Sequence, residues 1–282
     1  MTQPKFPQDR YIKIGQINTR YWRAGDSGNF LVLIHGAGSS IEAWSRNIQA
    51  LAQYHQVYAF DMVGSGLSDK PIVTYSLEYQ VQFLRDFIDT LQIQRAAFVG
   101  HSMGASLILK LALESPERVE KLVLVSSFGL GREISVASRL LAALPIIIYL
   151  FQPSPKSVKL ILRQNVYNIN SVPREWVKMR SEAFKSPGRK QAFVSFLKSH
   201  INLLGVRQSV FRPIITQLVN IRVPTLIIWG KQDAILPVAH AHVAAKYISD
   251  VRLHIFERCG HWAQFEHPQE FNQLVTEFLS PV

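Results

Sequence analysis

The sequence predicts an α/β protein built on a mostly parallel, doubly wound sheet with helices on both faces. Three observations carry that expectation. Short apolar runs alternate with segments whose apolar residues recur at helical spacing, from Phe30 to Val125 and again from Thr225 to Leu279. One run, Ala96 to Val99, passes through Gly100-His101-Ser102-Met103-Gly104 directly into a helix-like segment. The alternation is interrupted once, over residues 127–212, by sequence that is mainly compatible with helix.

Taken in order, Tyr11 to Ile14 and Asn18 to Arg23 form a hairpin around Gly15-Gln16. Phe30 to Ile34 is a buried strand ending in His35-Gly36-Ala37-Gly38. Trp44 to Leu51 reads as a helix, and Val57 to Phe60 as a strand stopping at Asp61. The loop that follows, DMVGSGLSDKP, is rich in turn-forming residues. Leu77 to Leu91 carries Val81, Leu84, Ile88 and Leu91 at helical spacing. The strand and helix around Ser102 come next, the helix ending near Ser115-Pro116, and Leu122 to Val125 is the sixth strand. Beyond the interruption lie a strand (Thr225 to Trp229), a helix (Val238 to Tyr247), a strand (Val251 to Phe256) and a last helix (Pro268 to Leu279). The expected organisation is a core in two parts, 1–126 and 213–282, with a helical lid, 127–212, inserted after the sixth strand.

With 282 residues, 48% of them hydrophobic, the chain has length for one large domain carrying an insertion. The net charge is +11, and Ser126 to Arg212 accounts for all of it, holding 14 Lys and Arg against three Glu. Such a segment favours anionic partners, and no nucleic-acid motif accompanies it. Within it, Leu140 to Phe151 has no charged residue. It is too short for a membrane span and is broken by Pro145. It reads as a lid helix facing the core cleft or, given its basic flanks, as a segment in peripheral contact with an anionic membrane. The amino terminus, MTQPKFPQDR, lacks the apolar core of a secretory signal, and Cys259 is the only cysteine, so a cytoplasmic protein without internal disulfides is expected.

A G-x-S-x-G turn between strand and helix strains the serine backbone and lifts its hydroxyl clear of the sheet, at the positive end of the following helix. Such a hydroxyl needs a base within hydrogen-bond reach, and the base needs an orienting acid. Asp233 follows the strand Thr225 to Trp229, and His261 follows Val251 to Phe256. Both therefore lie on loops at the carboxyl ends of strands, where open α/β sheets gather their ligands. Ser102, Asp233 and His261 are thus the expected nucleophile, acid and base. The amides of Met103 and Ala37 are the expected donors to an oxyanion. Asp61 is better suited to capping backbone amides, and His35 to tying its glycine-rich loop together. No metal is expected: His240 and His242 do not share a helix face, and His261 with His267 lacks a third ligand. Gly64-Ser65-Gly66 lacks the lysine pattern of a phosphate loop. His101 and Cys259 flank catalytic positions and read as cleft-wall residues.

HGAG, DMVGSGLSD, VGHSMGAS, WGKQDAILP and CGHWAQFEHPQEF together resemble the α/β-hydrolase superfamily over nearly the whole chain except the lid. The resemblance implies an eight-stranded sheet and no cofactor. Epoxide hydrolases and haloalkane dehalogenases of this fold use an aspartate nucleophile, and Ser102 argues against both. The carboxyl-terminal motif looks most like the meta-cleavage product hydrolases, which split carbon–carbon bonds in vinylogous diketo acids. That group uses a lid arginine for the substrate carboxylate, and Arg180, in RSEAF, matches its surroundings. Trp262 and His101 join it as candidate substrate-binding residues.

The function expected first is a serine hydrolase cleaving a carboxylic ester with an apolar acyl part, because the lid is apolar and basic together. A carbon–carbon bond hydrolase acting on a carboxylate-bearing ketone is the alternative. A non-catalytic ligand receptor on the same fold is a third reading, from another class.

Overall fold

The structure, a computed structural model, describes residues 6–280. The amino-terminal segment read above therefore lies partly outside the described residues. Eight strands form one sheet: β1 (Arg10–Ile14), β2 (Ile17–Ala24), β3 (Phe30–Ile34), β4 (Gln56–Phe60), β5 (Ala96–His101), β6 (Val119–Val125), β9 (Thr225–Gly230) and β10 (Val251–Phe256). A two-stranded hairpin, β7 (Ile201–Asn202) with β8 (Gly205–Val206), stands apart from it. The sheet order is β1-β2-β4-β3-β5-β6-β9-β10, and β2 alone runs against its neighbours. The chain winds outward in one direction from β3 to β4 and in the other from β5 onward. The loops after β3 and β5 therefore leave a crevice at the carboxyl edge where the winding reverses.

Side chains of the central strands alternate between two cores, as the period of a strand requires. Leu31 and Leu33 pack with α1 (Ile48–Leu51) and α12 (Pro268–Leu279). Val32 and Ile34 face α2 (Leu77–Thr90) and α3 (Met103–Glu114). Ser76 caps α2 by accepting the Tyr79 amide at 3.2 Å. The helix expected over Trp44 to Leu51 is broken into a turn at Ile41–Trp44 and the single turn of α1. Asn47 lies at the break, where its side-chain amide donates to Gln264 O (3.0 Å) and Asn272 Oδ1 (2.8 Å). Those long-range bonds fix the residue outside helical geometry.

Residues 127–212 carry α4 (Val136–Ala143), α5 (Ile146–Leu150), α6 (Pro155–Leu162), α7 (Arg174–Ala183) and α8 (Arg189–His200). The expected seam at 212 falls inside α9 (Gln208–Ile215). Leu140 to Phe151 is split at Leu144-Pro145 between α4 and α5. A separate apolar cluster joins Val158 and Leu162 of α6 and Trp176 and Val177 of α7 to Trp262 and Phe265. Trp262 and Phe265 stand at the start and in the middle of α11 (Ala263–Glu266), which follows α10 (Ala239–Tyr247) and β10. Among the described residues, no helix is long and apolar enough to cross a membrane.

Candidate active site

Ser102 sits between β5 and α3 with φ 54° and ψ −114°, a left-handed backbone that an L residue adopts only under constraint. The constraint is visible in three bonds: Ser102 N donates to Val125 O at 2.8 Å, and Ala105 N and Phe128 N donate to Ser102 O at 3.1 Å. The flanking glycines are needed for close approach. A Cβ on Gly100 would lie 2.5 Å from the Ala105 amide nitrogen, and one on Gly104 would lie 2.3 Å from Ile34 O.

The loops after β9 and β10 meet at Gly230, where a Cβ would lie 2.0 Å from Gly260 O. This brings Asp233 to His261. Asp233 Oδ1 accepts the amides of Ile235 (2.8 Å) and Leu236 (3.0 Å), while Oδ2 pairs with His261 Nδ1 at 2.8 Å. The carboxylate is therefore held at both oxygens, and it selects the His261 tautomer with the proton on Nδ1. Nε2 is left as the acceptor. Ser102 and His261 line the same cavity of about 390 Å³. No hydrogen bond joins Ser102 Oγ to the ring, and such contacts commonly tighten only when substrate is bound. Ala37 and Met103 line the same space. Neither backbone amide donates to another described group, so both are available to an oxyanion.

His35 ties the loop after β3 to that after β4. Its Nδ1 donates to Gly36 O (2.8 Å) and its Nε2 accepts the Met62 amide (3.1 Å). Asp61 caps the Ile41 and Leu67 amides, both at 2.8 Å, and lies 3.4 Å from Arg20, away from His261. His101 Nε2 bonds His261 O at 2.9 Å, and its ring packs tilted on the His261 ring, centroids 4.7 Å apart. It thus helps to position the His261 ring as well as lining the cavity. Burial pushes the His35 imidazolium down to about 4 and that of His101 well below its usual range. His200, inside α8, is likewise lowered to about 4 by burial. The unfolded chain takes up these protons near pH 6.5, and the folded chain does not. Their stabilising effect is therefore complete above pH 6.5 and declines as pH falls from there towards 4. Calorimetric melting in steps across that interval is expected to show Tm falling steeply, with a shallower fall in His200→Gln.

The lid brings two arginines to the cavity. Arg180, on α7, is buried among Trp176, Phe184 and Trp262, with its guanidinium 5.3 to 5.8 Å from the three ring centres. It donates to Gly38 O (3.2 Å) and Ser39 Oγ (3.4 Å). Arg189, at the start of α8, donates to the same Gly38 O and lies 4.3 Å above Phe184. Neither pairs with a carboxylate among the described residues. Burial lowers Arg180 to about 10 and, with help from the Arg180 charge, Arg189 to about 9, so both remain cationic at neutral pH. Two guanidinium groups without a direct carboxylate partner in a mostly apolar cavity make a strong site for an anionic head group. Trp262, the third candidate named from the sequence, forms the wall beside Arg180.

Arg189 and Glu266 escaped the reading of the sequence. Arg189 lies in no motif, and only lid packing turns it inward. Glu266 falls within CGHWAQFEHPQEF, and its carboxylate accepts the amides of Gly260 (2.7 Å), Tyr167 (2.8 Å) and Asn168 (3.2 Å). It thereby joins the His261 loop to the lid. Cys259 is buried, and burial with the nearby Glu266 charge raises its thiol, which stays protonated. Among the described residues, no group of three His, Cys, Asp or Glu could hold a metal ion.

Residues 29–268 match the family model described as alpha/beta hydrolase fold. The chain is 31% identical to 2-hydroxy-6-oxo-2,4-heptadienoate hydrolase of Pseudomonas putida, over 99% of each chain. It is 33% identical to 2-hydroxy-6-oxononadienedioate/2-hydroxy-6-oxononatrienedioate hydrolase of Burkholderia vietnamiensis, covering 94% of this chain and 91% of that one. Among solved structures, the meta-cleavage product hydrolase of Pseudomonas fluorescens IP01, a serine-to-alanine mutant complexed with acetates, superposes with a TM-score of 0.82 at 30% identity. That match covers 95% of this chain and 96% of that one. These relatives overturn the expectation of an ester with an apolar acyl part, since they are named for dienoate substrates. The physical reason is in residues 127–212: the apolar and basic composition that suggests an apolar ester does not say where the charge points, and Arg180 and Arg189 both face the cavity.

Proposed function

The chain belongs to the α/β-hydrolase fold family, and from that premise we propose that it is a carbon–carbon bond hydrolase acting on 2-hydroxy-6-oxo-dienoates, as its relatives' names describe. The observation that carries this reading is the pair of buried arginines, neither in a direct ion pair, in the cavity that also holds Ser102 and His261. A substrate carboxylate fits between them, as a guanidinium can grip a carboxylate in two places. The distant ketone then lies towards the serine.

In this reading the dienol first tautomerises to its keto form, which makes the carbon beside the distant ketone a viable leaving group. His261 Nε2 takes the Ser102 proton, and Oγ attacks the ketone carbon. The amides of Ala37 and Met103 hold the resulting oxyanion. As the carbonyl re-forms, the carbon–carbon bond breaks. Its electron pair delocalises through the double bond to the 2-oxo group, and the resulting dienolate takes the proton back from His261 Nε2 to leave as the dienol. Water activated by His261 releases the acyl group from Ser102, regenerating the hydroxyl. Asp233 keeps the His261 tautomer and supports its charge throughout.

The test is loss of dienoate absorbance when the purified protein meets 2-hydroxy-6-oxo-2,4-heptadienoate, the substrate named for the Pseudomonas putida relative. Arg180→Gln is expected to lower kcat/KM by ~10²-fold or more, because a buried charged contact is lost. Labelling of Ser102 by a fluorophosphonate should be unchanged in that variant. Absence of bleaching by a protein that still labels at Ser102 would refute the carbon–carbon reading while leaving the nucleophile in place.

A further inference from the structure

We infer that the outer face of the lid, over α4, α5 and the exposed side of α6, docks on an anionic lipid surface. On α4, Val136 and Leu140 lie four residues apart on one face and are exposed, and Leu144, exposed as well, follows at its carboxyl end. Ile146, Ile147, Tyr149 and Leu150 of α5 continue this apolar stripe, with Leu150 70% exposed. Leu160 of α6, 64% exposed, carries it further. All three helices turn other residues (Leu141, Ile148 and Ile161 among them) into the same cavity, so they roof one space and present this stripe outward. Lys190 on α8 holds α5 in place by donating to Tyr149 O (2.9 Å) and Phe151 O (2.8 Å).

An exposed apolar stripe of this kind marks an interaction surface. The charge around it selects the occupant. Lys156, Lys159 and Arg163 recur on the outer side of α6, exposed, and none pairs with an acid among the described residues. Two of the segment's three acids are already engaged, Glu133 by His240 and Glu182 by Lys185. A second copy of this chain would bring the same cations against each other across a twofold contact, which disfavours self-association through this face. A bilayer surface bearing anionic headgroups meets both features at once, taking the apolar side chains into the headgroup boundary and the lysines onto phosphates. Ile147, Leu160 and Ile161 line the cavity and are also exposed, so docking would place the roof of the cavity against the lipid. Docking does not depend on which bond the site breaks.

The test is flotation of the full chain with vesicles of phosphatidylcholine alone or equimolar with phosphatidylglycerol. Binding is expected at low salt to the mixed vesicles only, with release in half-molar salt. The double variant Leu144→Glu/Ile146→Glu, at two residues that do not line the cavity, should lower the partition by about tenfold or more. Lys156→Glu/Lys159→Glu should do the same by removing the electrostatic attraction. Melting temperatures close to that of the parent would show that both variants fold. Failure of the parent to float with anionic vesicles at low salt overturns the inference, as does undiminished binding by both variants. A parent that migrates as a dimer in size-exclusion chromatography, and is split by Leu144→Glu/Ile146→Glu, assigns the face to a second copy instead.

Discussion

Replacing Ser102 with alanine is expected to lower kcat by ~10⁴-fold or more while leaving the melting temperature nearly unchanged. The hydroxyl makes no hydrogen bond that the fold depends on. The strained backbone is held instead by the Val125 carbonyl and by the amides of Ala105 and Phe128, all of which survive the change. Alanine also tolerates the φ of 54° about as well as serine does. Single-turnover assay, fluorophosphonate labelling and calorimetry together separate the outcomes. A variant that keeps its structure and most of its turnover would remove Ser102 from the chemistry and leave an activated water to attack in its place.

Asp233→Asn is expected to be nearly as damaging, by ~10⁴-fold, for a reason written in the loop itself. Oδ1 of Asp233 accepts two backbone amides, from Ile235 and Leu236. An asparagine must keep its carbonyl oxygen there, because its NH₂ group would oppose two donors. The NH₂ group then faces His261 Nδ1, where the carboxylate Oδ2 now accepts at 2.8 Å. Two donors cannot share that contact, so the imidazole must move its proton to Nε2, the nitrogen that should receive the serine proton. The loss should therefore appear in kcat at unchanged substrate affinity. A fall in kcat/KM caused only by KM would contradict the tautomer argument.

Much of this site was readable before any coordinates because its demands are local. A serine at a strand-to-helix turn needs glycines two residues to either side, and the backbone contacts of Gly100 and Gly104 show why nothing larger fits. Asp233 and His261 were placed by the ends of their strands, and a parallel sheet puts those ends on one edge. The role of Arg189 was hidden because it depends on how a helix packs, which the local sequence does not encode. The same limit misdirected the substrate reading. Composition counts the charges of residues 127–212 but not their directions, and that segment sends Arg180 and Arg189 inward and Lys156, Lys159 and Arg163 outward. The broken helix before β4 has a similar origin, since Asn47 is held by partners more than two hundred positions away.

Glu266 has a mechanical consequence. One carboxylate clasps both Tyr167 and Asn168 of the inserted segment and the loop of His261 at Gly260, and the Trp176–Trp262 contact, centroids 5.2 Å apart, reinforces the same seam. Parting the two along this edge would pull the His261 imidazole out of register with Asp233. The start of α4 is tied in the same way to the loop of Asp233, the Ser135 amide donating to Ile235 O at 2.9 Å. Residues 127–212 are thus coupled at two points to the Asp233–His261 pair, so a shift of either helix group bears on the contact that sets the imidazole.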